Sequence, residues 1–409
     1  MIDKKVVVIG GGAAGMIAAS IAGGRGLDVT LIEKNSMVGK KLLITGKGRC
    51  NITNDCDVEE LIENVPVNGK FLYSAFYTFT NMDVIELFNK LGVKTKVERG
   101  NRVFPVSDRS SDVVEALKKY MKQNNVKVLK GEVDKVESND GCVKNIVLKN
   151  GKSITCDSVI IATGGASYPQ TGSTGDGYKF ARQNGHNINK IKPSLVPLET
   201  KEKWVKNLQG LTLRNISIKV LNKNNKKVYD DFGELNFNSY GISGPVILSA
   251  SCYIKDMDKN DYRVIIDLKP ALSNEKLDNR IQRDFDKYST KDFEEALKGL
   301  LPQKMIPTIV ELTEIDPKKI VNQISKEERK KLIYSLKNMT LNIKKYRPIK
   351  DAIVTSGGVK INEINPSTME SKLIEGLYFA GEVIDVDAYT GGFNLQIAFS
   401  TGYLAGMNC

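Results

Sequence analysis

The sequence predicts an α/β fold that begins with a parallel, dinucleotide-binding sheet, and three observations carry that expectation. The apolar, β-branched run Val6-Val7-Val8-Ile9 opens into Gly10-Gly11-Gly12-Ala13-Ala14-Gly15, a G-x-G-x-x-G turn. A small-residue helix over Ala13 to Gly24 and a second strand over Asp28 to Ile32 follow, closing on the acid Glu33. At 409 residues the chain exceeds the size at which one core stops growing, so two or three domains are expected.

The glycines of the opening turn have separate tasks. Gly10 permits a tight turn, Gly12 lets the backbone approach a pyrophosphate, and Gly15 allows close helix-strand packing. The helix N-terminus, with Ala13 and Ala14 in its first turn, offers free N–H groups and a positive dipole end. Glu33 is placed to accept hydrogen bonds from a ribose 2′-OH, with Lys34 beside it. A carboxylate repels a 2′-phosphate, so the first nucleotide is an unphosphorylated adenosine ribose, as in FAD or NAD.

Composition narrows the class. No apolar run approaches the length of about 20 that a membrane span needs, and the polar start Met1-Ile2-Asp3-Lys4-Lys5 carries no leader, so a cytoplasmic protein without membrane contact is expected. Six cysteines without a C-x-x-C pair are expected reduced, and no metal site is expected. The net charge of +12 raises the question of a polyanion, but the lysines are scattered among many asparagines, so a small-molecule substrate is expected rather than nucleic acid. Oligomeric state leaves no mark in the sequence.

The stretch Gly39 to Asn51 is a glycine-rich basic loop suited to a diphosphate or a flavin edge. Lys41, Thr45, Gly46, Gly48, Arg49, Cys50 and Asn51 are its candidate contacts. Cys50 and Cys56 have C-x5-C spacing, not the C-x4-C of flavin disulfide reductases, so Cys50 reads as a packing residue. Helical spacing follows over Phe71 to Phe79 and Met82 to Leu91, and Ser111 is expected to cap a helix to about Asn124. Short strands from Val126, Val133, Val143 and Ser153 read as a β-meander.

The next buried strand, Ser158 to Ala162, runs into Thr163-Gly164-Gly165, where Ala162, Thr163, Gly164 and Gly165 let main chain lie against a ligand. Asp176-Gly177 then starts a helix through Asn184. No second G-x-G-x-x-G appears, so a nicotinamide nucleotide must dock transiently. His186, the single histidine, follows Gly185 at a helix end and reads as structural, which argues against Ser-His-Asp hydrolysis. Ser243, in a turn without G-x-S-x-G spacing, is expected to cap the helix at Pro245.

Pro193 to Pro197 marks a boundary, after which Leu211 to Leu268 is mainly strand and Ser273 to Met339 is helical and charged. Ser325 there reads as an N-cap ahead of same-face ion pairs. The chain ends as tellingly as it begins. The strand Gly376 to Ala380 enters Gly381-Glu382, the acids Asp385 and Asp387 follow, and Gly391-Gly392-Phe393-Asn394 opens a small-residue helix from Leu395 to Met407. The acids suit ribityl hydroxyls, and the helix N-terminus suits the N1/C2 carbonyl region of a flavin. Gly381, Glu382, Asp385, Gly392, Asn394 and Leu395 therefore join the candidate contacts.

Together these motifs resemble a bacterial family of NAD(P)/FAD-dependent oxidoreductases, of the aminoacetone oxidase-like and BaiN types. The likeness runs from end to end. It is carried by Gly10 to Gly15, Leu43 to Asn51, Ala162 to Gly165 with Thr171 to Gly177, Thr355-Ser356-Gly357-Gly358-Val359, and Gly381-Glu382 with Gly391 to Asn394. The resemblance implies a glutathione-reductase-like FAD-binding Rossmann domain built from both chain ends (1–195 and 345–409), a β-barrel-like substrate domain (196–271 and 332–344) and a helical cap (272–331). It implies FAD contacts at Glu33, Lys41, Arg49, Asn51, Val133, Asp385 and Asn394. The segment Thr163 to Gly177 also looks like the fumarate-reductase flavoprotein pattern, which points to hydride delivery to an activated C=C bond.

The expected function is hydride transfer through non-covalently bound FAD, from NADH or NADPH to a small organic acceptor, with Tyr168 as proton donor. A flavin oxidase acting on a small amine with O2, a flavin-containing RNA-binding or RNA-modifying protein, and a non-catalytic protein with FAD as a structural ligand stay open as alternatives.

Overall fold

The computed structural model describes residues 4–255, 257 and 260–409, so Met1, Ile2 and Asp3 of the polar start lie outside it. Two compact units divide the chain, Met1–Ser194 with Pro348–Cys409 and Leu195–Arg347.

The first unit is built on β1 (Lys5–Ile9), β2 (Asp28–Glu33), β3 (Lys127–Lys130), β4 (Ser158–Ile161) and β5 (Leu377–Phe379). They pair in parallel in the order β5-β4-β1-β2-β3, so the last strand of the chain completes a sheet begun by the first. β4 and β5 are buried along their whole length, as strands covered on both faces must be. This is the Rossmann-type α/β fold that the sequence predicts.

Helix α1 (Ala13–Gly24) and the C-terminal helix α2 (Phe393–Asn408) join the two chain ends. Their contact is backbone-close: a Cβ on Gly402 would lie 2.5 Å from the Ala14 carbonyl oxygen, and one on Gly406 2.5 Å from that of Ala18. Arg25 then donates to the Gly406 and Cys409 carbonyls at 2.9 and 3.0 Å, capping the end of α2.

Two local expectations are corrected in this unit. The strand expected to open the meander is β3, which pairs with β2 because the helix Ser110–Gln123 carries the chain across the sheet, leaving an antiparallel sheet of Val133–Asn139, Cys142–Leu148 and Ser153–Thr155. Ser111 lies inside that helix, whose N-cap is Arg109. The neighbouring Ser110 hydroxyl donates instead to the Leu43 carbonyl at 2.8 Å, tying the helix to the basic loop.

In the second unit, six antiparallel strands close a barrel in the order Leu198–Thr200, Gly241–Ser243, Lys227–Asn238, Thr212–Asn222, Tyr262–Asp267, Met339–Tyr346. The helices within 274–337 share one hydrophobic core with the barrel, in which Leu277 and Ile281 join Val264 and Ile266. Ser243 does not cap: Gly244 is the N-cap of Pro245–Ser251, and the Ser243 hydroxyl accepts from Asn238. Ser325 does cap: its hydroxyl accepts from Glu328 N–H, and its own N–H donates to the Glu328 carboxylate. The charges beyond it pair between elements, Lys319 with Glu328 and Arg329 with Asp278, rather than along one helix face.

Candidate functional site

At the carboxyl end of β1 the three fingerprint glycines differ in what surrounds them. A Cβ on Gly10 (φ +104°) would lie 2.6 Å from the Ala162 carbonyl oxygen, and one on Gly15 would lie 1.9 Å from that of Gly10. Either side chain would force helix from sheet. A Cβ on Gly12 would meet no heavy atom within 4 Å. Gly12 is also the N-cap of α1 and supplies no side-chain cap, so the amides of the first turn, at Ala13, Ala14 and Gly15, have no side-chain cap to bond.

Glu33 is anchored beside this opening. Its Oε2 accepts from Gly11 N–H at 2.7 Å, and its Oε1 accepts from the backbone and side-chain amides of Asn35 at 2.8 and 2.7 Å. Lone pairs are left over for a ribose diol. An uncapped helix end for a diphosphate and a fixed carboxylate for a ribose fit the ADP half of FAD. Lys34, by contrast, is committed to Thr174 and Asp176 at 2.6 and 2.5 Å.

The basic loop is folded tightly, with positive φ at Gly39, Gly46, Lys47, Gly48 and Cys50. Thr45 holds the Leu42 carbonyl at 2.7 Å, and a Cβ on Gly46 would lie 2.9 Å from Asn51 N. Arg49 does not project as a free cation: its guanidinium bonds Glu98 and Asp108 and stacks 4.2 Å from the Phe104 ring. It braces the loop against the hairpin Thr95–Glu98/Arg102–Pro105. Cys50 is fully buried, and burial pushes its thiol up to about 12, as it does that of Cys56. Both thiols are far from the thiolate that dithiol chemistry requires.

Lys41 reaches the other chain end. Its ammonium donates to Glu382 Oε2 at 2.7 Å and to Ser167 Oγ at 2.8 Å, while Glu382 Oε1 accepts from Thr355 N–H at 2.7 Å and Ser167 Oγ at 3.1 Å. Burial pushes the Glu382 carboxyl up, but the Lys41 charge and these donors outweigh it and hold the group ionised, below its usual range. Thr355 Oγ1 in turn accepts from Ala166 and Ser167 N–H at 2.8 and 3.1 Å, and a Cβ on Gly165 would sit 2.4 Å from it. The loop after β4 (Ala162, Thr163, Gly164, Gly165) is thus fixed by a segment nearly two hundred residues away. Ser167 and Thr355 carry no individual signal in the sequence; each is flagged only as part of a run, Thr163 to Gly177 and Thr355 to Val359.

The N-terminus of α2, like that of α1, has no side-chain cap. Gly392 is its N-cap (φ +104°), and a Cβ there would lie 2.3 Å from the Thr53 backbone. Asn394, with Leu395 in the same first turn, folds back: it accepts from Ala388 N–H at 3.0 Å and donates to the Ala388 and Tyr389 carbonyls. Its side chain shapes the loop before the helix. Gly381 (φ +75°) packs on Ala14 and donates to Thr401 at 2.9 Å. Asp385 takes the amides of Asn68 and Asn189 at 3.1 and 2.5 Å, and Asp387 takes the Ser194 hydroxyl at 2.6 Å. Burial pushes Asp387 up to about 6. Val133 begins the antiparallel sheet and is buried. Tyr168 has a left-handed backbone (φ +53°), lies half-buried, and has its ring centroid 6.0 Å from the Lys41 ammonium.

A parallel sheet closed by both chain ends, a G-x-G-x-x-G cradle and a second helix N-terminus without a side-chain cap define a Rossmann flavoprotein that binds FAD. The chain belongs to the HI0933-like family: the model described as HI0933-like protein Rossmann domain matches residues 4–408. It is 32% identical over 408 residues to a 3-dehydro-bile acid delta(4,6)-reductase of Clostridium scindens, covering 98% of each chain. It is 32% identical over 400 residues to a ribosomal RNA dihydrouridine synthase of Escherichia coli, covering 97% of this chain and 96% of that one. The solved 3-ketosteroid delta1-dehydrogenase of Sterolibacterium denitrificans shares its fold, with a TM-score of 0.51, 14% identity and 98% of each chain covered. The chain is thus an FAD-dependent oxidoreductase of this family. Among the described residues, no helix is long and apolar enough to cross a membrane.

Proposed function

We propose that this protein reduces a carbon-carbon double bond conjugated to a carbonyl, with NADH or NADPH as reductant. The observation that carries the reading is that two full-length relatives with different substrates bear names denoting one chemistry, saturation of such a bond. FAD, when bound, supplies the hydride. The chain holds the diphosphate on the α1 N-terminus and the ribose on Glu33, with Gly10, Gly12, Ala13, Ala14 and Gly15 as the cradle. The positive end of α2 stabilises negative charge on the ring. Tyr168, whose hydroxyl burial keeps protonated, donates the proton that completes the saturation. The test is anaerobic: the NADPH-reduced protein is mixed with a cyclic enone, with unmodified ribosomal RNA, or with O2. Reoxidation by an unsaturated acceptor faster than by O2 supports the reading; fast O2 turnover with neither acceptor consumed, the behaviour of an amine oxidase, overturns it.

Between the two acceptors, a uridine in RNA is the second reading. It is favoured by the net charge of +12 together with the dihydrouridine synthase relative. Scattered lysines weigh less against it once some cations are seen to lie beside the site.

A further inference from the structure

The hairpin Thr95–Glu98/Arg102–Pro105 turns through Arg99-Gly100-Asn101, with left-handed backbone at Gly100 and Asn101. One amide ties this turn to the N-terminus of α2: Asn54 Nδ2 donates to Gly100 O and to Gly391 O, each at 3.0 Å. The turn therefore lies one side chain from the helix end assigned to the flavin ring. Its cations are not self-neutralised. Of the carboxylates near the turn, Glu98 and Asp108 are taken by Arg49 and Lys96, and Asp55, whose N–H donates to the Asn101 carbonyl at 2.7 Å, is exposed and forms no ion pair with the turn's arginines among the described residues. Among the described residues no carboxylate pairs with Lys47, Lys94, Arg99 or Arg102, all of them exposed.

Arg102 is also pre-oriented. Its Nε donates to the Arg99 carbonyl at 3.0 Å, and its guanidinium lies 5.8 Å from the Phe104 ring centroid, so the two terminal nitrogens are left to face outward as a fork. A planar fork of this kind matches a phosphate in two-point contact better than a lysine can.

We propose that the Arg99–Arg102 turn is a docking element for the phosphodiester backbone of an RNA substrate, placing a uridine at the flavin edge. The inference rests on the second reading above. A backbone held on this turn would bring a flipped base to the N-terminus of α2 while phosphates, not bases, supply the affinity. Arg99 and Arg102 would each neutralise one phosphate.

The test compares FAD-loaded protein carrying Arg99→Gln with Arg102→Gln against a control carrying Lys223→Gln with Lys226→Gln, which removes equal charge from the barrel unit. Binding of an in vitro transcribed ribosomal RNA is measured against salt. The turn variant is expected to flatten the slope of log affinity on log salt by about 1.5 to 2, and the control to leave it unchanged. Equal slopes in wild type and turn variant, or equal flattening in both variants, overturn this inference while leaving the RNA reading standing. A wild type that does not bind the transcript at low salt overturns both. An unchanged RNA slope with a raised half-saturation for NADPH in flavin reduction overturns it in favour of a nucleotide phosphate.

Discussion

Single residues here divide into those that shape the backbone and those that meet the ligand, and substitutions separate them. Gly12→Ala adds its methyl to open space at an ordinary φ of −84°, so the chain folds, but the cradle is filled. FAD affinity is expected to fall by about tenfold or more with the melting temperature of the apoprotein unchanged. Gly15→Ala is expected to fail at folding, since its Cβ would lie 1.9 Å from a carbonyl oxygen. Equal effects on folding at both positions would contradict the division. Tyr168→Phe is expected to slow alkene reduction about a hundredfold or more while leaving flavin reduction by NADPH unchanged, read by stopped flow.

His186 illustrates a structural residue whose state the network dictates. Ser371 Oγ accepts from Leu373 and Ile374 N–H, so its own hydrogen goes to His186 Nε2 at 2.8 Å, and Nδ1–H faces Glu363 at 3.2 Å. Burial lowers its pKa against the pull of Glu363. A lowered pKa stabilises the fold above the unfolded value of about 6.5 and loses that contribution as pH falls through the folded value. The stability advantage of wild type over His186→Gln, from urea unfolding, is expected to shrink between pH 7.5 and 5.5; an advantage that grows would contradict the tautomer.

At the scale of elements, the helix pair α1 and α2 decides whether the two chain ends share one unit. Gly402→Val or Gly406→Val would drive a side chain into the Ala14 or Ala18 carbonyl and is expected to cost about 1–3 kcal/mol or more, read by denaturant unfolding, with FAD affinity lost in parallel. These elements were legible in the sequence because their signals are local: β-branched runs, small-residue helices and glycine turns. The ends of α1, Ala13–Gly24, fall where its sequence places them. What stayed hidden was partnership over distance. Nothing near Lys127 says that its strand joins β2, and nothing near Arg49 says that Glu98 and Asp108 will consume its charge. Likewise Thr355 could be flagged only as part of a glycine-rich run, because its partners at Ala166 and Ser167 are set by tertiary packing.

For the whole molecule, the parallel sheet and the packing of α1 on α2 explain why chemistry-bearing motifs sit at opposite ends of 409 residues. The N-termini of α1 and α2 are brought into one unit by β5 joining β4 and by the close packing of the two helices. The most direct test of this account is a visible-absorbance titration of the apoprotein with FAD, in parallel for wild type and Gly12→Ala. The account predicts saturable binding of one FAD per wild-type chain and weaker binding to the variant. A wild type that stays colourless after reconstitution, or a variant that binds as tightly, would contradict it.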